Sequence, residues 1–155
     1  MKPHIALAVH SVEMRNLIAL AVAAAGAEVI LSDNGIELVI QVSAHGAIDM
    51  VIADYRMPQA TGLAAVRALR DTGFTAPALL LTEPQESAIT SDIKAIPRAW
   101  ILHRPRSIGD LFEVTLRVLA HLDDWRTEHG AKDNTHVPTT HAYYDAAAAD
   151  ALSSP

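Results

Sequence analysis

The sequence predicts an α/β fold: a doubly wound, five-stranded parallel sheet with helices on both faces. Three observations lead there. Short apolar runs recur at 5–9, 28–31, 50–53, 78–81 and 99–102, with the length and composition of strands buried on both faces. Between them lie segments whose apolar residues follow helical spacing, and strands alternating with helices at such intervals build βαβ units. Half of the residues are hydrophobic but only 5% are aromatic, so the core is made of Ala, Val, Leu and Ile, a supply that suits close strand–helix packing.

The elements follow in order. After the first strand, Ser11 is placed to cap a helix, with Glu13 in its first turn, where a carboxylate complements the helix dipole. Met14, Leu17, Ile18, Ala21 and Ala25 share one helical face, and Gly26 ends the helix. A turn at 32–35 follows the second strand. The next helix, 36–44, is predicted against the β-branched Val39, Ile40 and Val42, and closes at His45-Gly46. The third strand ends at Asp54. Pro58, which lacks a ladder donor and restrains Met57, breaks it, and Gly62 marks the turn into a helix at 63–70. Arg67 and Arg70 on that helix read as solvated charges, and 71–73 close it. The fourth strand ends at Thr82. Glu83-Pro84 opens a poorly patterned helix through Ser87, Ile89 and Ile93 that Pro97 stops. His103-Arg104-Pro105 follows the fifth strand. Ser107 caps a last helix whose inner face is Ile108, Leu111, Phe112, Thr115, Leu119 and Leu122. From about residue 124 the chain turns polar and then Ala-rich. The expected division is one domain at 1–124 and a tail at 125–155, partly disordered or forming a short helix.

Composition excludes several functions. The formal charge of −6 argues against non-specific nucleic-acid binding, which needs Lys and Arg to neutralise phosphates. The absence of cysteine excludes disulfides, thiolate metal sites and cysteine nucleophiles. No apolar run is long enough to span a bilayer, and the N-terminal one is too short for a signal-peptide core, so a soluble, cytoplasmic protein without membrane partners is expected. No Gly-rich phosphate loop follows the first strand, where His10-Ser11-Val12-Glu13 has no glycine. Nucleophile-elbow motifs are absent too, which counts against a flavodoxin-like enzyme.

Asp54 is the residue around which a site is expected. Open parallel sheets place their chemistry at the carboxyl ends of central strands, and Asp54 closes the central run. An aspartate there also serves as a turn cap, so the stretch alone leaves both readings open.

His10, Asp54, Thr82 and Arg104-Pro105 fall at successive strand ends. With Asp54-x-Arg56-Met57-Pro58, Gly62 and the apolar run into Thr82, they resemble the receiver domains of two-component response regulators, the CheY-like fold, over about residues 4–122. The resemblance implies a signalling module rather than an enzyme. Asp54 would be the phosphoacceptor for a histidine kinase, with Mg²⁺ beside it, and Thr82 and Arg104 would occupy the phosphate-contact and switch positions. Carboxylate charge and incoming phosphoryl oxygens need such neutralisation.

The sequence departs from that pattern where the metal is expected. The family has two acids at the end of the first strand, and the matching positions are Val9 and His10. Valine ligates nothing, and a neutral imidazole is a poor ligand for a hard cation. Asp54 is left as a weak metal candidate, so no metal centre is expected and Mg²⁺ binding should be weak or absent. Glu13 is a further carboxylate nearby, better explained by the helix dipole. Arg104 replaces lysine with a forked, permanently charged group able to pair with Asp54. Glu83 and Arg56 modify the site's surroundings, and Ile101 stands where the switch aromatic belongs, with Trp100 on the opposite strand face. The histidines, among them His103, His129, His136 and His141, lack metal-ligand spacing.

The reading that follows is an atypical, stand-alone receiver, a pseudo-receiver acting through protein–protein contacts without Mg²⁺-dependent phosphorylation. Its expected contact face is the fourth helix, fifth strand and fifth helix, about 87–122, toward a protein partner or a second copy in a homodimer. The alternative is a working phosphorelay receiver that accepts phosphoryl on Asp54 with an altered metal site.

Overall fold

All five apolar runs become strands of one parallel sheet, in the order β2-β1-β3-β4-β5. The structure, a computed structural model, describes residues 2–83, 92–93, 95–103 and 120. Its elements are β1 (His4–Ala8), α1 (Val12–Ala24), β2 (Glu28–Ser32), α2 (Gly35–His45), β3 (Met50–Asp54), α3 (Gly62–Asp71), β4 (Ala78–Thr82) and β5 (Ala99–His103). Strand limits differ from the expected ones by a residue at most. The predicted fourth and last helices fall almost wholly outside the described residues, as do Arg104, the boundary at 124 and the tail. Among the described residues no helix is long and apolar enough to cross a membrane.

Side-chain caps set the helix starts. Ser11 accepts from Met14 N at 3.3 Å and Thr61 from Ala64 N at 3.1 Å. At α2, Asn34 Oδ1 accepts from Glu37 N at 2.8 Å, while Glu37 Oε2 accepts from Asp33 N at 3.2 Å. This reciprocal capping, with Leu38 and Val42 buried against the sheet, outweighs the β-branched residues that argued against the helix.

The core lies on the central strands, and every residue of β3 and β4 is buried. β2 forms one edge and is only half covered. α1 departs from the expected face: Ile18, Ala21 and Val22 are buried, while Leu17 is exposed. With only alanines and aliphatics after Asn16, spacing alone could not choose between neighbouring faces.

Arg70 is not the solvated charge that its sequence context predicted. Its guanidinium donates to three carbonyls: Pro97 O at 2.9 Å, Phe74 O at 2.9 Å and Arg98 O at 3.0 Å. It also lies 5.6 Å from the centre of the Phe74 ring, within cation–π range. Burial, and secondarily the Arg98 charge, lowers its pKa to about 10, so it stays protonated at neutral pH. The contact ties the end of α3 to the turn that launches β5. At the same amino-terminal side of the sheet, His4 Nε2 lies 2.9 Å from Glu28 Oε2, and His4 N donates to Asp49 Oδ2 at 2.8 Å, joining the start of β1 to β2 and to the approach to β3.

Candidate phosphoacceptor site

Asp54 is the last residue of β3 and is 3% exposed; Thr82 is the last of β4 and is 2% exposed. In the β3–β4 register Asp54 faces Leu81, which places Thr82 one residue further along the neighbouring strand. Thr82 in turn pairs with His103, the last described residue of β5. Sequence-predicted site positions on β3 and β4 are therefore brought side by side, as parallel strands require.

The loop after Asp54 is fixed through its backbone. Tyr55 N donates to Leu81 O at 2.9 Å, and Gly62 N donates to Tyr55 O at 3.0 Å. Gly62 is needed for its lack of a side chain: a Cβ would lie against the Asp54 carbonyl oxygen and 2.8 Å from Leu80 Cδ2. Gln59 takes a left-handed conformation at φ 69°, and Met57 is buried beneath the loop. Gly35 at the start of α2 abuts the loop as well, since a Cβ there would lie 2.9 Å from Ala60 Cβ. This second glycine contact went unrecognised in the sequence, because nothing in the 32–35 turn names a partner 25 residues away, the Gly35-to-Ala60 separation.

The β1 side differs. Val9 follows β1, is 0% exposed, and donates its backbone N–H to Ser32 O at 3.3 Å. His10 is exposed. Arg15, which lies one turn into α1, donates from Nη1 to Val9 O at 3.1 Å and so holds this strand end from above. Glu13 is exposed on α1. Of the three positions at which the family pattern expects acids, only Asp54 offers a carboxylate. An aliphatic group in the core and an exposed imidazole supply no oxygen, so this donor set does not fit Mg²⁺, a cation that demands near-octahedral oxygen ligation. Among the described residues no group of three or more His, Asp or Glu is placed to hold a metal ion.

Glu83 is half-buried and Arg56 exposed beside the site. Asp54, Arg56, Thr82 and Glu83 are all engaged by neighbouring groups. That matters most for Asp54, because a carboxylate removed from water is costly unless partners satisfy it. Ile101 is buried and pairs with Leu80, the residue against which Gly62 packs, so it sits on the α3 face of the sheet.

No family model matches the chain, and no curated protein matches it. Solved structures do. The chain is similar to the Francisella response regulator 1452 receiver domain, with 18% identity and a TM-score of 0.66, covering 79% of this chain and 98% of that one. It is similar to the chemotaxis response regulator CheY4 of Vibrio cholerae, with 23% identity and a TM-score of 0.68, covering 79% and 99%. It is also similar to NtrX from Brucella abortus, with 16% identity and a TM-score of 0.70, covering 83% of this chain and 29% of that one. The chain has the CheY-like fold of response-regulator receiver domains.

Proposed function

We propose that the protein is an atypical response regulator, a receiver-type signalling module that works by protein–protein interaction and independently of Mg²⁺-dependent aspartyl phosphorylation. One observation carries this reading. Where the family pattern places the first metal-binding acid, Val9 contributes a fully buried isopropyl group, with Arg15 bonded to its carbonyl. An aliphatic Ile101 in place of the switch aromatic supports it, because that side chain has no polar end to respond to a charge at Asp54. The partner is a protein, or a second copy of the chain, engaged through the surface of residues 87–122. No enzyme activity, nucleic acid or membrane is part of this reading.

Titration of the full chain with Mg²⁺ or Mn²⁺ up to millimolar concentration tests it. The expected result is no change in thermal unfolding or in the spectra of residues around Asp54. Saturable binding that Asp54→Asn removes would overturn the proposal.

A second reading rests on the β3–β4 side. Asp54 and Thr82 keep the adjacency a phosphoacceptor and its hydroxyl contact need, and Gly62 keeps the loop that presents them. In that reading a histidine kinase phosphorylates Asp54 at an altered metal site. Transfer of labelled phosphoryl from a kinase to the native chain, and none to Asp54→Asn, is the result it requires.

A further inference from the structure

At the β2 edge of the sheet, opposite β5, the surface is apolar where solvent-facing residues are ordinarily charged. The exposed positions of α1 include Val12, Leu17, Leu20, Ala23 and Ala24, and Glu13 is the only charged one among them. Beyond Asn16 every residue of α1 is apolar, and a helix that is apolar on all sides is normally covered on all sides. Leu20 is 68% exposed, and Leu31 on the edge strand is 41% exposed. Between these two leucines runs an open groove of about 590 Å³. Ala19, Ala23 and Ala27 give it a floor of methyl groups, with Asn16 and Glu28 at its polar margin. On α2, the helix after β2, Ile36 and Ile40 are also exposed.

The charge around this edge is mostly negative, with His4 against Glu28, and Lys2 close by in the chain, at its amino-terminal end. No Lys or Arg occurs between Arg15 and Arg56, whereas Glu28, Asp33 and Glu37 lie on or beside β2 and α2. Arg15 is turned to the Val9 carbonyl. A second copy docked by two-fold symmetry would bring the same three acids together from both sides, and like charges across an interface are costly. The chain's own Ala-rich segment 142–151 carries Asp145 and Asp150 and no Lys or Arg, so its charge is of the same sign.

We infer that the α1–β2 groove is a docking surface for an amphipathic helix of a protein partner that carries Lys or Arg beside its apolar face. Leu-sized side chains spaced one helical turn apart enter an alanine-floored groove of this kind, while flanking cations meet Glu28, Asp33 and Glu37. This surface does not depend on the chemistry of Asp54.

The test is titration of the isotope-labelled full chain with two synthetic helical peptides, one with leucines on one face flanked by lysines, the other with glutamates replacing the lysines. Leu20→Gln and Leu31→Gln variants, whose folding is checked by thermal melting, accompany the native chain. The lysine peptide is expected to shift amides of α1 and β2, to lose about tenfold in affinity with either variant, and to outbind the glutamate peptide. Equal binding of both peptides, unchanged affinity in the variants, or shifts confined elsewhere would overturn the inference. So would a native dimer that Leu20→Gln makes monomeric in sedimentation, or amides of 142–151 that respond to Leu20→Gln without peptide, since those results name a different occupant.

Discussion

The two halves of the carboxyl-terminal rim differ in what they keep. On the β3–β4 half, Asp54 and Thr82 end adjacent strands, and the loop between Asp54 and α3 is locked by backbone hydrogen bonds and by two glycines that tolerate no side chain. On the β1 half, Val9 is part of the core and His10 faces solvent. The geometry of a phosphoacceptor and the charge that would serve it are thus separable. The first is set by sheet register and loop packing, which the hydrophobic core enforces. The second rests on a few side chains that the core does not need, and a valine at one of them fits the interior better than a carboxylate.

The sharpest way to break this contrast is to restore the acids. A Val9→Asp, His10→Asp double variant should be destabilised by about several kcal/mol without metal, because a carboxylate replaces a fully buried side chain. If the β3–β4 half is competent, Mg²⁺ should recover part of that loss in thermal melts, by about 2.7 kcal/mol at a hundredfold excess over the dissociation constant. The same Mg²⁺ should leave the native chain unmoved. Equal responses of both proteins would erase the distinction between the halves.

Next in size is Gly62→Ala. Its methyl group would collide with the Asp54 carbonyl and Leu80, and it should cost about 1–3 kcal/mol, with disturbed amide resonances at Asp54 and Tyr55. Denaturant unfolding measures the first and NMR the second. A neutral outcome would mean that the loop is not held as tightly as its contacts imply. Arg70→Ala removes a charged donor from three carbonyls and should cost about 2 kcal/mol, while the site at the opposite end of the strands keeps its spectrum. The smallest effect is expected for His4→Ala, under about 1 kcal/mol, because its partly exposed contact with Glu28 is lost while the His4 backbone bond to Asp49 remains.

Much of this was legible in the sequence, and the failures have physical causes. Strand runs, the Ser11 cap and the Asp54 loop follow local rules, so their positions emerged within a residue, whereas the Asn34 and Thr61 caps were not singled out. α2 was written by its capping residues more clearly than by its interior, since Asn34 and Glu37 outweigh three β-branched side chains. Leu17 was misplaced because only Glu13 and Asn16 mark the solvent side of α1 and every residue after Asn16 is apolar. Arg70 was misread because its acceptors Pro97 and Arg98 lie 27 and 28 residues away, beyond any local pattern. Val9 and His10 were read as a lost metal site from their positions alone. The buried run 5–9 already placed Val9 in the core, and what the sequence did not convey is that Arg15 clasps its carbonyl.

In the proposed reading, Asp54 retains its place without metal-dependent chemistry. Incubation of the full chain with acetyl phosphate and Mg²⁺, followed by intact-mass measurement beside Asp54→Asn, tests this most directly. The account predicts no phosphoryl adduct on either protein. A Mg²⁺-dependent adduct on the native chain that disappears in Asp54→Asn would contradict it.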